Sequence, residues 1–219
     1  IVAAVEEGRG IYDNIRKTLL YLLGGNTGEL LVMLACVLVG AHMPLLPIHL
    51  LWINLVTDGL PALCLATDPI DPDLMRRSPR PRSERITSGG FFPRMLLMGA
   101  LTAAVTLGVY FYALPHVSLE AARSQAFSAL AFTQLLLPFG CRSETRPFWK
   151  VGLFSNLKLA LVVALSISFQ IWSHENAFLG GLLKTPEMSW ENCTGLLAVT
   201  VIPLAVLETL KILRRRRSG

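Results

Sequence analysis

The chain has 219 residues, of which 53% are hydrophobic and only 16% are charged, and its formal net charge is +5. A soluble domain of this size needs more charged residues to cover its surface, so the composition excludes that class. Because the apolar residues fall in runs of roughly 17 to 25, each long enough to cross a bilayer as a helix, we predict an all-α integral membrane protein.

Six membrane-spanning helices are predicted, and helix-breaking residues separate them. The spans cover residues 18–40, 45–66, 95–114, 124–141, 157–173 and 194–213. Pro44 and Pro115 fall between spans, as do the proline-containing segments 68–85 and 142–149, and Pro47 lies at the start of the second span. We find no internal repeat, which disfavours the gradient-driven transporters built from inverted repeats.

The basic residues orient these spans. Of the 20 lysines and arginines, all but Arg123 and Lys184 lie in or beside alternate gaps, beginning with the segment before the first span. The positive-inside rule therefore places both termini in the cytoplasm, with residues 214–219 as a basic cytoplasmic tail. Topology explains the charge, so the bilayer is the expected partner and nucleic acid is not.

Polar oxygens recur inside the first two spans. Asn26 and Glu29 lie three residues apart in the first, and Asn54, Thr57 and Asp58 follow an i, i+3, i+4 pattern in the second. Both spacings place the side chains on one helical face. Ionisable groups at membrane depth are costly and mark ion paths. An all-oxygen set with more than one carboxylate suits a hard divalent cation, above all calcium.

The second span also carries residues that weaken its backbone. Pro61 has no amide hydrogen to donate to the Thr57 carbonyl, and Gly59 lowers the cost of local unwinding. Irregular backbone at membrane depth is tolerated where it lines a cavity or binding site. We therefore predict an irregular helix at the ion site.

Packing between helices is the competing interpretation of these polar residues. Gly24 and Gly28 form a pair that permits close helix approach, and polar side chains hydrogen-bond between membrane helices. For Asn26 or Thr57 alone we favour packing, whereas Glu29 and Asp58 favour ion binding. In the fourth span Gln134 is a weaker ligand candidate, because a lone neutral glutamine is more typical of packing.

Four strings carry a resemblance to a known family: VAAVEEGRGIYDNIRK, NTGE, LLWINLVTDGLPALCLATDP and DPDLMRRSPR. They resemble the C-terminal membrane half of P-type cation-transporting ATPases, in the calcium-pump branch of the sarco/endoplasmic reticulum and secretory-pathway type. The resemblance covers essentially the whole chain and is densest over residues 1–94. It implies the last six spans of a ten-span pump, with residues 1–17 ending the phosphorylation domain and its stalk and 18–213 forming the transmembrane domain.

The same resemblance implies roles for the polar residues. Asn26, Glu29, Thr57 and Asp58 would belong to the cation sites, and Asp58 would be shared between two of them. Asn54 and Asp58 would help to form the second calcium site, completed by a span upstream of the first residue. Gln134 stands where two-site calcium pumps have glutamate, so one or two ions per cycle, and calcium or manganese, both stay open.

The catalytic motifs of such a pump are missing from these residues. The 219 residues contain no D-K-T-G-T phosphorylation motif and no nucleotide-binding glycine loop. ATP and magnesium would act only through upstream domains, so we expect a fragment that translocates ions but does not hydrolyse ATP alone. Short loops and the lack of sorting signals favour a bacterial plasma membrane. A non-catalytic remnant or accessory subunit, which binds cations or packs against a partner, is the alternative.

Overall fold

The computed structural model describes residues 1–76, 78, 81 and 84–217, without the side chains of 215–217. Within that part of the chain all regular elements are helical. The α-helices are α1 (Val2–Leu38), α2 (Pro47–Trp52), α3 (Gly59–Ala66), α4 (Phe91–Ala113), α5 (Leu119–Cys141), α6 (Phe148–Val151), α7 (Leu157–Glu175), α8 (Ala177–Leu183) and α9 (Trp190–Arg217). A π-helical turn, Ile53–Thr57, joins α2 to α3, and short 3₁₀ turns cover Leu74–Arg76 and Leu153–Asn156. Ser218, Gly219 and the side chains of Arg215, Arg216 and Arg217 in the predicted basic tail lie outside the described residues, as do Arg77, Arg80 and Arg82.

Each predicted span corresponds to helix, and the all-helical fold is confirmed. Among the residues that the structure describes, five segments are long and apolar enough to cross a membrane: Val2–Leu38, Pro47–Ala66, Phe91–Ala113, Leu153–Glu175 and Trp190–Arg214. The predicted fourth span is α5, which has 23 residues but does not belong to that set. Every residue from Phe127 to Leu135 is 0% exposed. Since α5 is enclosed by α1, α4, α7 and α9 rather than by lipid, it does not need an apolar surface.

The first helix is longer than its predicted span. α1 runs without interruption for 37 residues, about 55 Å at the rise of an α-helix. The predicted boundary between residues 17 and 18 therefore lies inside a continuous helix. Because a bilayer core is about 30 Å thick, the N-terminal part of α1 extends well beyond it.

Small residues bring α1 and α4 into close contact. A Cβ atom on Gly28 would lie 3.0 Å from Cγ2 of Thr102, and one on Gly99 would lie 2.6 Å from Cγ2 of Thr27. A Cβ on Gly24 would lie 3.1 Å from the terminal methyl of Met98. The packing interpretation of Gly24 and Gly28 is confirmed. These packing contacts do not involve the neighbouring Glu29.

The buried carboxylate of Asp68 connects four segments of the chain. Asp68, which follows α3, accepts hydrogen bonds from Lys17 Nζ (2.9 Å), Arg142 Nε (2.9 Å) and Asn156 Nδ2 (2.8 Å). These partners belong to α1, to the end of α5 and to the turn before α7. Asp68 is 4% exposed and Arg142 is 5% exposed, so the ion pair is desolvated and depends on this complete set of partners.

Candidate cation site

The second span is broken at Asp58. After α2 the chain forms the π-helical turn Ile53–Thr57, in which the Asp58 amide donates to the Ile53 carbonyl at 2.9 Å, five residues back. Regular helix resumes when the Ala62 amide donates to the Asp58 carbonyl at 3.0 Å. The predicted irregular helix is confirmed. Single π-helical turns are rare and occur frequently at functional sites.

Two carboxylates from different helices meet beside this turn. Tyr21 Oη donates to Asp58 Oδ1 at 3.0 Å, and Gln134 Nε2 donates to Glu29 Oε1 at 2.9 Å. Asn54 Nδ2 lies 3.4 Å from the other Glu29 oxygen, Oε2. The cluster therefore joins α1, the π-helical turn and α5 at membrane depth.

Two oxygens of the cluster have no hydrogen-bond partner among the described residues. These are Asp58 Oδ2 and Gln134 Oε1, and both atoms are buried. Asp58 is 1% exposed and Gln134 is 0% exposed. A buried polar atom without a partner costs about 1–3 kcal/mol, and more when it is charged. A bound cation would provide both oxygens with a partner, so the donor set fits a hard metal ion.

A glycine leaves room beside the unpartnered carboxylate oxygen. A Cβ atom on Gly25 would lie 3.1 Å from Gln134 Nε2 and 3.4 Å from Asp58 Oδ2. A side chain at this position would therefore crowd the Gln134 amide and would contact Asp58 Oδ2. Glycine allows α1 to approach both groups closely.

Most of the predicted site residues converge. Glu29, Asp58 and Gln134 are buried. Gln134 bonds to Glu29 and lies beside Gly25, as Asp58 does, and the exposed Asn54 reaches Glu29 through its amide. Thr57 is 2% exposed and directly precedes Asp58 on the π-helical turn. In the described part of the chain, no three His, Cys, Asp or Glu side chains could together hold a metal ion. Within this part of the chain, further ligands for the two carboxylates would therefore be neutral oxygens such as those of Thr57 and Gln134.

Asn26 makes no hydrogen bond to this cluster among the described residues, and it lies at the edge of the face that carries Glu29. It is exposed, whereas Glu29 is only 8% exposed. Three residues advance an α-helix by about 300°, so the two side chains diverge by about 60° around the axis. That divergence is enough to leave Asn26 at the edge of the buried face.

Two residues of the site, Tyr21 and Gly25, were not identified from the sequence. Together with Gly28 and Glu29 they follow an i, i+4, i+7, i+8 pattern along α1, which is typical of one helical face. That pattern could have placed them beside Glu29. Their partners could not be found in this way, because Asp58 and Gln134 belong to distant parts of the chain.

Comparison with known proteins gives a consistent set of relatives. Residues 42–213 match the family model described as "Cation transporting ATPase, C-terminus". The chain is 34% identical to Calcium-transporting ATPase 1 of Bacillus cereus, over 98% of the chain and 26% of that protein. It is 41% identical to the Calcium-transporting ATPase of Bacillus subtilis, over 76% of the chain and 19% of that protein. It is 31% identical to the endoplasmic reticulum calcium ATPase srcA of Aspergillus fumigatus, over 99% of the chain and 26% of that protein. The chain thus spans about a quarter or less of the length of these relatives.

Proposed function

The chain belongs to the family of cation-transporting ATPases, of which it carries the C-terminal region, and from this premise we propose that it binds and translocates calcium in an ATP-driven pump. It is a multi-pass integral membrane protein. The observation that carries the proposal is the pair of buried carboxylates at a broken helix, with two oxygens that have no partner among the described residues. The names of the relatives support calcium as the ion, and manganese is the competing substrate.

In the proposed site, Asp58 is the central ligand. Its Oδ2 atom and Gln134 Oε1 face the ion, while Tyr21 holds Asp58 Oδ1 and the Gln134 amide nitrogen holds Glu29 Oε1 in position. Thr57 and Glu29 contribute further oxygens. Because Gln134 is neutral, the cluster carries two negative charges, which one divalent cation balances.

The exposed Asn54 and Asn26 complete the proposed site from the side that this chain leaves open. Polar side chains at membrane depth rarely face lipid. Leu23 and Leu55, which lie on the same helices, are exposed there as well. Since the relatives are about four times longer than the chain, we propose that spans upstream of residue 1 cover this surface and add ligands.

We propose that α1 links the ion site to the ATP-driven domains. Residues 1–17 would be the end of the phosphorylation domain and its stalk, 18–213 the transmembrane domain, and 214–219 a basic tail, with both termini cytoplasmic. The uninterrupted helix from Val2 to Leu38 carries Tyr21, Gly25 and Glu29 on one rigid body. A displacement of its N-terminal part would therefore shift these groups against Asp58 and alter access to the ion. Protons would occupy the carboxylates on the return step.

The substitution Asp58→Asn in the complete pump tests the site. It keeps the shape and the hydrogen bond from Tyr21 but removes the charge, so we expect calcium-dependent ATP hydrolysis and calcium uptake into vesicles to be lost. Glu120→Gln is the matched control, because it makes the same carboxylate-to-amide change on an exposed side chain at the start of α5. Wild-type uptake by Asp58→Asn would refute the assignment. Uptake measured with manganese in place of calcium identifies the preferred ion.

The mass of the native polypeptide separates a pump from a stand-alone membrane subunit. An antibody against the LRRRRSG tail should detect a band several times heavier than the 24.0 kDa of this chain. A band at 24.0 kDa would instead support the accessory-subunit alternative. Fractionation of the same cells tests the proposed location, a bacterial plasma membrane.

A further inference from the structure

The short helix α8 connects α7 to α9, and both of these belong to segments that are long and apolar enough to cross a membrane. α7 begins after Asn156, which bonds to Asp68, so α8 lies at the opposite end of the bundle from Asp68. An exposed tryptophan stands at each border of this connection, Trp172 in the last turn of α7 and Trp190 at the start of α9. Because tryptophan is enriched where membrane proteins cross the interface between lipid and water, the pair places α8 at that level.

The composition of α8 does not suit a helix that faces water. Its seven residues, Ala177–Leu183, are all apolar or glycine. Phe178 is 77% exposed and Leu182 is 50% exposed, and their spacing of four residues places both on one face. Leu183, by contrast, is buried. A helix that is hydrophobic all round belongs in a protein core or in a membrane, so the exposed face of α8 requires apolar surroundings.

The buried end of α8 is joined to α2, the half of the broken span that precedes the π-helical turn. His49 Nε2 donates to the Leu183 carbonyl oxygen at 2.7 Å, and His49 Nδ1 accepts from the Leu46 amide at 3.3 Å. At the other end of α2, Trp52 Nε1 donates to Gln170 Oε1 of α7 at 2.9 Å. Both ends of α2 are therefore held by the unit that α7 and α8 form.

We propose that α8 lies in the interface between lipid and water, with Phe178 and Leu182 among the lipid chains, and that it anchors α2 at this surface. Lipid removes the two exposed side chains from water without directional contacts. A protein partner is a weaker candidate, because stable protein interfaces combine an apolar centre with a polar rim and α8 has no polar side chain. The interfacial anchor goes beyond the proposed transport function and does not depend on it.

Photo-crosslinking of the complete pump in phosphatidylcholine vesicles tests the contact with lipid. Benzoylphenylalanine in place of Phe178 keeps an aromatic side chain and should give an adduct that is heavier by one phospholipid. The same replacement of Glu187, an exposed residue of the connection between α7 and α9, is the control and should give less lipid adduct. A lipid adduct no more abundant at position 178 than at position 187 would overturn the proposal. A crosslink from position 178 to another segment of the pump, or to a second copy, in place of lipid would also overturn it.

The double substitution Phe178→Ser and Leu182→Ser tests whether α8 anchors α2. Serine side chains favour water, so α8 should leave the interface and amide hydrogen exchange in α2 should become about fivefold faster. Exchange in α3, the other half of the same span, should not change. Phe178→Leu is the matched control, because it keeps an apolar side chain and should leave exchange in α2 as it is.

Unchanged exchange in α2 of the double variant, or equal acceleration in α2 and α3, would overturn the anchoring of α2 by α8. Neither experiment includes ATP or calcium. A failure of the transport proposal would therefore not affect these outcomes.

Discussion

The substitution Gly25→Ala should separate the stability of the protein from its affinity for calcium. The new methyl group would lie 3.1 Å from Gln134 Nε2 and 3.4 Å from Asp58 Oδ2. Alanine favours a helix interior over glycine by about 0.5–1 kcal/mol, and the nearest atom belongs to the end of a flexible side chain. We therefore expect the free energy of unfolding to stay unchanged or to rise.

The same methyl group should weaken calcium binding. A calcium ion lies about 2.3–2.6 Å from each oxygen ligand, so a methyl group 3.4 Å from Asp58 Oδ2 competes with the ion for space on that side. Displacing one ligand by a few tenths of an ångström should raise the calcium concentration for half-maximal ATP hydrolysis about tenfold, a change of about 1.4 kcal/mol.

The assay compares calcium-dependent ATP hydrolysis and thermal unfolding of the complete pump. Gly108→Ala is the control, because Gly108 is inside α4 and a Cβ atom there would have no neighbour within 4 Å. The control should gain helix stability without a change in calcium affinity. Wild-type affinity in Gly25→Ala would refute the reasoning, since Asp58 Oδ2 and Gln134 could not then face the ion from this side.

Three further substitutions test other parts of the structure. Pro61→Ala should restore the missing backbone donor and favour a regular helix. We therefore expect thermal stability to rise and calcium-dependent ATP hydrolysis to fall. A fall in both quantities would contradict this prediction. Gln134→Glu adds a carboxylate at the 2.9 Å contact with Glu29 and should raise the ratio of calcium transported to ATP hydrolysed. An unchanged ratio would show that residue 134 does not determine how many calcium ions are carried per cycle. Asp68→Ala should lower the free energy of unfolding, measured by chemical denaturation, by about 3–5 kcal/mol, because it leaves the buried cations Lys17 and Arg142 without their partner. Asp73→Asn is the control and should have little effect, because the Asp73 side chain is exposed.

The sequence was most informative where local chemistry determines the outcome. Pro61 and Gly59 predicted the broken helix, because a missing amide hydrogen acts on the backbone of its own segment. The apolar runs predicted helices at all six spans. Glu29 and Asp58 were identified because carboxylates inside apolar runs are rare and costly.

Contacts between distant segments could not be predicted in the same way. Gln134 bonds to Glu29 across 105 positions of the chain, and Arg142 bonds to Asp68 across 74. Helical periodicity shows which side chains share a face, but not which helix packs against that face or at what rotation. For this reason periodicity grouped Asn26 with Glu29 but could not show that the first side chain is exposed and the second is buried.

The central position of α5 has a consequence for how the chain enters the membrane during synthesis. Its surroundings are protein rather than lipid, and its sequence is less apolar than the most apolar stretches of the other spans. Hydrophobicity therefore drives the insertion of α5 less strongly than that of the other spans. Contacts with neighbours such as α4 and α9 therefore favour the stable insertion of α5, and α9 is synthesised after α5. The order of synthesis thus makes a later helix a partner in the insertion of an earlier one.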